Sequence, residues 1–174
     1  MMLEYFAAPS WLPSLVLAVL ITQRAMDLMI SKRNTKRLIE SGGHEVGAAH
    51  YPFVMALHAS WIVALVIWVL SVPPYMNMTF VLIYAALLGL RTWVISSLGP
   101  FWTTRIITIP NIPLVRRGPY KFLKHPNYIV VSMEIAVVPL MLDAWELALI
   151  FSLLNAVMLR VRIRIENKAL AARP

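Results

Sequence analysis

PFVMALHASWIVALVIWVL, residues 52–70, runs nineteen residues without an Asp, Glu, Lys or Arg. As a helix it rises about 28 Å, close to the roughly 30 Å hydrocarbon core of a bilayer. Reading it as a membrane span decides the fold class. Two further stretches, 11–30 and 76–98, have similar length and character. Another two, 128–142 and 144–159, are shorter and separated only by the break at LMLDA, residues 140–144. Such a pair reads as a tight hairpin in bilayer thinned locally to match it, or as helices whose ends extend beyond these limits. Composition agrees: 60% of the 174 residues are hydrophobic and 14% charged, against about 45–50% and 25% in soluble domains. The expected class is an all-α integral membrane protein of about five transmembrane helices. It forms one domain, 1–174, with three N-terminal spans in 1–98 and a C-terminal core in 99–174.

Charge fixes the expected orientation. Of sixteen Lys and Arg, all but Arg24 and Arg91 fall on one side of these spans. Lys32, Arg33, Lys36 and Arg37 follow the first span; Arg105, Arg116, Arg117, Lys121 and Lys124 lie between the third and fourth. Arg160, Arg162, Arg164, Lys168 and Arg173 follow the fifth, while residues 1–10, 71–75 and the turn at Asp143 carry none. By the positive-inside rule the N-terminus is outside and the C-terminus cytoplasmic. The net charge of +8 is then a topological imprint, and no nucleic-acid partner is expected. The first basic residue is Arg24, so no signal-peptide n-region is visible and the first span is read as uncleaved.

Arg24 and Arg91 sit inside spans, where charge is costly and faces a partner or a cavity. Arg24 and Asp27 share a helix face. Glu134, in the fourth span, is open to two readings: partner of Arg91, or lining of a tunnel for an apolar substrate.

The segment 99–127 is the longest between spans. Residues 101–109 read as extended, PNIP at 110–113 as a turn, and 114–117 as a second extended run, so a small β-hairpin is expected. Many chemistries are excluded. There is no cysteine, hence no disulfide, thiolate metal site or Cys nucleophile. GxGxxG and P-loop patterns are missing. His44, His50, His58 and His125 lack zinc-site spacing, so no metal is expected. His44 and His50 read as solvated loop residues and His58 as a hydrogen-bonded core histidine.

One constellation carries chemistry: RRGPYKFLKHPNY, residues 116–128, leading straight into the fourth span. Singly, Pro126 suits a helix start and Tyr128 an interface. GPY five residues before HPNY is a spacing that interface preference does not require. Leu114 and Val115 precede it, and RIRIENKAL, residues 162–170, follows the fifth span. On a helix Arg162 and Glu166 share a face.

These pieces resemble the isoprenylcysteine carboxyl methyltransferase family, integral membrane enzymes that use S-adenosylmethionine. LV before GPY, KHPNY in place of RHPxY, and RIRIENKAL in place of RIxxEExxL cover roughly the C-terminal 75 residues. Lys124 replaces an Arg and Asn167 a Glu. The resemblance implies cofactor contacts from Leu114, Val115, Tyr120, His125, Pro126, Asn127, Tyr128 and Glu166, with Arg105 at a further cofactor position that is Gln in some members. It implies Arg162 and Glu166 as catalytic residues, Arg162 facing the acceptor's acidic group. Glu134 and Arg91, as charges inside spans, are candidate substrate-binding residues on that ground and not from the resemblance. Asn34-Thr35, Gly42-Gly43, HYP at 50–52, His58 and WTTR at 102–105 resemble a compact bacterial group within this family. Some of its members are associated with O-methylation of long-chain polyketide pyrones or phenolic lipids.

The expected activity is therefore S-adenosylmethionine-dependent O-methylation, at the cytoplasmic face of a bacterial inner membrane. The acceptor is a lipid-tailed carboxylate or acidic enol arriving from the bilayer, and S-adenosylhomocysteine is the product. N-methylation of a phospholipid amine, and a non-catalytic membrane subunit or channel, are the alternatives.

Overall fold

The computed structural model describes residues 5–73, 75–110 and 112–171. Among these are five long helices: α1 (Trp11–Glu40), α2 (Tyr51–Ser71), α3 (Met78–Leu98), α4 (Pro126–Met141) and α5 (Trp145–Leu170). Helices α1, α2 and α3 are long and apolar enough to cross a membrane, whereas α4 is apolar but has only 16 residues. Outward-facing Leu70, Leu82, Leu153 and Val157 are all more than half exposed, as a lipid-facing surface requires. Trp61, Leu65, Leu20, Ile135, Val138 and Met141 fill the space between the helices with almost no exposure.

Helix α1 continues ten residues beyond its expected span and does structural work there. Ser31, Asn34 and Leu38 lie on one face and are buried. Asn34 Nδ2 donates to the carbonyls of Gly99 and Trp102, at 3.0 and 2.8 Å, and Ser31 Oγ accepts from Thr104 N at 2.9 Å. The extension thereby pins the start of the 99–127 connector.

Two short strand pairs were not legible in the sequence. Strand β1 (Tyr5–Ala7) pairs antiparallel with β3 (Tyr75–Asn77), joining the N-terminal segment to the end of the α2–α3 connection. Asn77 then caps α3, its Oδ1 accepting from Thr79 N and Phe80 N. In the second pair β2 (His44–Glu45) joins β4 (Ile107–Thr108). This corrects the expected hairpin within 101–117: β4 pairs with the α1–α2 loop, and 114–117 forms no strand. The prolines at 110 and 113 lack the N–H that a ladder needs, while Gly43 lets the α1–α2 loop come close. A Cβ there would meet Leu38 O at 2.6 Å and Ile109 at 3.0 Å. Asn111, of the expected turn, and Arg173, of the basic tail, lie outside the described residues.

Helix α4 opens with Pro126 at its first turn and contains Pro139 near its end. The carbonyls freed at that end are satisfied from elsewhere: Tyr5 Oη donates to Leu140 O and Trp68 Nε1 to Leu142 O, both at 2.9 Å. Asp143, at φ 56°, turns the chain into α5, giving the tight hairpin expected for this pair.

Candidate active site

A cavity of about 950 Å³ lies between the helices and is roofed by the connector. Helices α2 and α5 each give it a stripe at helical spacing. From α5 come Asn155, Leu159, Arg162 and Glu166; from α2, Tyr51, Met55, His58 and Ile62. The α4 contribution is its first turns, Asn127, Tyr128 and Val131. Residues 4, 3 and 4 apart lie on one side of a helix, so the α5 stripe spans about 16 Å.

Most residues singled out in the sequence meet here. Leu114, Val115, Tyr120, His125, Asn127, Tyr128, Arg162 and Glu166 all line the cavity, as do Arg105 and Arg91. Pro126 is buried at the start of α4 and does not line it. Glu134 is fully buried and does not line it either; it accepts from Arg91 Nη1 and Arg24 Nη2, both at 2.7 Å. Asp27 completes that cluster through Arg91, whose Nε donates to it at 2.9 Å.

GPY is a 3₁₀ turn, Gly118–Lys121, packed against α3. Gly118 has φ +55°, and a Cβ there would sit 2.1 Å from Ser97 Oγ and 2.9 Å from Ser97 Cβ. Only glycine accommodates both the left-handed backbone and the close approach. Gly118→Ala is expected to cost about 1–3 kcal/mol, read as a lowered thermal unfolding temperature in detergent. A Ser97→Gly background should recover part of the loss, because it removes the colliding side chain.

A polar network ties α4, α5 and the connector together. Glu166 accepts from Tyr128 Oη and lies 3.4 Å from His125 Nδ1. The His125 and Tyr128 rings stack with centroids 5.2 Å apart, and His125 Nε2 lies 3.2 Å from Asn167 Oδ1. Arg162 Nε donates to Tyr128 Oη at 2.8 Å and its Nη2 to Thr104 O at 2.6 Å. Arg105 donates to both Glu45 oxygens, at 2.8 and 2.9 Å, and lies 4.1 Å over the Tyr51 ring. Tyr51 Oη and Thr104 Oγ1 are 3.0 Å apart.

His125 and Glu166 hold each other charged. The hydrogen bond to Glu166 lifts the His125 imidazole above its ordinary 6.5, against the opposing effect of burial. Burial pushes the Glu166 carboxyl up, but His125, Tyr128 and Arg162 together hold it below its ordinary 4.5. A depressed acid stabilises above its unfolded value and loses that contribution as pH falls through its folded value. A raised histidine stabilises below its unfolded value and loses it as pH rises through its folded value. The pair is therefore fully expressed between 4.5 and 6.5. The destabilisation caused by His125→Gln should be largest in that window and shrink at higher pH, as measured by thermal unfolding across pH.

The lining suits a nucleoside-type sulfonium ligand. Asn127 Oδ1 is buried without a hydrogen-bond partner, an acceptor waiting for an amine or hydroxyl donor. Glu166 supplies a carboxylate for a cation or for hydroxyls, Lys121 and Lys124 supply cations for a carboxylate, and Leu114, Val115 and Tyr120 supply apolar surface. Among the described residues no His/Cys/Asp/Glu cluster fit for a metal occurs.

His58 is hydrogen-bonded within its helix as expected, but its place on the cavity wall was not foreseen, nor were Asn127's lack of a partner and Thr104 as the acceptor for Arg162. The spacing of Tyr51, Met55, His58 and Ile62 was the available signal for the first.

Comparison with known proteins agrees with the motif reading. The profile of the isoprenylcysteine carboxyl methyltransferase family matches residues 78–172. A Bacillus subtilis (strain 168) relative, Uncharacterized protein YpbQ, is 39% identical over 90% of this chain and 95% of its own. An uncharacterized Haemophilus influenzae (strain ATCC 51907 / DSM 11121 / KW20 / Rd) protein is 26% identical over 91% of this chain and 94% of its own. No solved structure matches the chain significantly.

Proposed function

The chain belongs to the isoprenylcysteine carboxyl methyltransferase family, a family of membrane methyltransferases, and from that premise we propose an S-adenosylmethionine-dependent O-methyltransferase acting on a lipid-tailed acceptor. One observation carries this reading. The residues that the motifs single out, from the connector, α4 and α5, converge on one cavity whose far wall is built from the apolar helices. A polar cofactor enters such a site from water and an apolar tail enters from lipid. The same reading makes all five helices membrane elements, with the basic ends and the cofactor mouth at the cytoplasmic face of a bacterial inner membrane.

When bound, S-adenosylmethionine supplies a methyl group already activated on sulfonium sulfur. The chain's own task is then positioning and charge. Tyr120, Leu114 and Val115 would form the apolar side of the cofactor end, and Asn127 Oδ1 would accept a hydrogen bond from it. Glu166, kept ionised by its neighbours, balances positive charge at that end. Arg162 is held by Tyr128 and Thr104; its remaining N–H groups would hold the acceptor oxygen. The acceptor class is a carboxylate or an acidic enol on an alkyl or polyketide chain.

The test is transfer itself. Membranes containing the protein, given isotopically labelled S-adenosylmethionine, are expected to yield a labelled lipid by mass spectrometry. No labelled lipid above that of membranes lacking the protein would contradict the reading. Arg162→Ala is expected to lower turnover by about 10²–10³-fold, with S-adenosylhomocysteine affinity close to wild type; equal turnover would remove Arg162 from the acceptor site.

A further inference from the structure

Arg162, the residue proposed to hold the acceptor, is fixed at two points, Tyr128 Oη and the carbonyl of Thr104. The second point is only as fixed as the backbone that carries it. Residues 102–106 belong to no helix or strand, so no ladder holds that carbonyl and side chains must. These come from the two N-terminal helices. Ser31 Oγ of α1 accepts from Thr104 N at 2.9 Å and lies 2.8 Å from Thr104 Oγ1. Tyr51 Oη, at the start of α2, lies 3.0 Å from the same Oγ1. Thr104 is thus held at its N–H and its hydroxyl while its carbonyl holds Arg162. The next residue, Arg105, lies over the Tyr51 ring and donates to Glu45.

We infer that Ser31 and Tyr51 are positioning residues for methyl transfer: through Thr104 they set where Arg162 holds the acceptor oxygen. The inference rests on the methyltransferase reading and extends its site into α1 and α2. Both residues lie outside 78–172, the part of the chain that the family profile matches. A guanidinium presents its N–H groups in one rigid plane. With Nε on Tyr128 and Nη2 on Thr104, that plane is set and Nη1 is left for the acceptor. A displaced Thr104 carbonyl turns the plane, and a misplacement of about 1 Å at the reacting groups costs up to about 10²-fold in rate. Ser31 is 3% exposed, so water does not readily replace its hydroxyl when it is removed. The carboxylate at the cofactor end, Glu166, is held instead by Tyr128 and His125. Loss of the Ser31 or Tyr51 hydroxyl should therefore appear in the rate of transfer and not in cofactor affinity.

The experiment measures the initial rate of methyl transfer to lipid in membranes containing the full-length protein, at saturating isotopically labelled S-adenosylmethionine. Tyr51→Phe keeps the ring beneath Arg105 and removes only the hydroxyl. It and Ser31→Ala are each expected to slow transfer by about 3- to 10-fold, the worth of one hydrogen bond. The KM for S-adenosylmethionine and the calorimetric affinity for S-adenosylhomocysteine should stay at their wild-type values. Thr104→Val, which keeps the shape without the hydroxyl, should slow transfer similarly, whereas Thr104→Ser should retain the rate. In an Arg162→Ala background Tyr51→Phe should slow transfer no further, because the group it orients is gone. A hydroxyl that only stabilises the fold would act by the same factor in both backgrounds. Equal factors, weakened S-adenosylhomocysteine binding in Tyr51→Phe, or a wild-type rate in both Tyr51→Phe and Thr104→Val overturns the inference. If Ser31→Ala fails to fold, Tyr51→Phe and the Thr104 pair decide. Transfer by wild type that these variants leave unchanged overturns the positioning role alone; no transfer by wild type overturns the methyltransferase reading with it.

Discussion

Glu134→Ala is expected to lower the stability of the protein in detergent by about 3–5 kcal/mol, as breaking a buried ion pair does. Its carboxylate is completely inaccessible and accepts from Gln23 Nε2 at 3.0 Å and from both Arg24 and Arg91 at 2.7 Å. Removing it leaves two guanidinium groups facing Asp27 alone, in surroundings where an unpaired charge has no water to turn to. The effect should spread across three helices, because α1 supplies Gln23, Arg24 and Asp27, α3 supplies Arg91 and α4 supplies Glu134. Glu134→Gln retains the shape and one acceptor oxygen and should lose clearly less. Denaturant unfolding followed by Trp fluorescence checks this. A loss within about 0.5 kcal/mol, the range of ordinary surface substitutions, would mean that the cluster does not hold these helices together.

The second large effect falls on Glu166. Its carboxylate receives Tyr128 Oη and stands beside the His125 ring, and Tyr128 in turn accepts from Arg162. Glu166→Ala removes a hydrogen bond to a charged group, worth about 1.5–3 kcal/mol, and also frees Tyr128 and His125 from their stacked arrangement. S-adenosylhomocysteine affinity should fall by about 10- to 150-fold, measured by calorimetry, with the unfolding temperature much less affected than in Glu134→Ala. Glu166→Gln, which still accepts from Tyr128 but carries no charge, should lie between wild type and alanine. Equal affinity in all three would remove Glu166 from the cofactor site.

What the sequence disclosed and what it hid divide along a physical line. Runs such as 52–70 and the spacing of Arg162 and Glu166 are local, and helices convert local spacing directly into a shared face. GPY and HPNY were visible for the same reason, and Gly118 against Ser97 explains the glycine in steric terms. Long-range pairing left no such mark. Ile107 and Thr108 were assigned a partner within their own connector, yet they pair with His44 and Glu45, more than sixty residues away. Strands of two or three residues, like β1 and β3, are too short to show alternation. The intramembrane charges were recognised as needing partners, but their arrangement depends on how α1, α3 and α4 cross. His58 reads as an ordinary core histidine, and its hydrogen bond to Val54 does lie within its own helix; that it also lines the cavity depends on how the helices pack.

A sulfonium methyl donor is the proposed ligand of the cavity between the connector, α4 and α5. Its most direct test is calorimetric titration of the purified wild-type protein in detergent with S-adenosylhomocysteine. Saturable binding at one site per chain is expected, weakened by Glu166→Ala and little changed by Arg162→Ala. No heat of binding at millimolar ligand would contradict it.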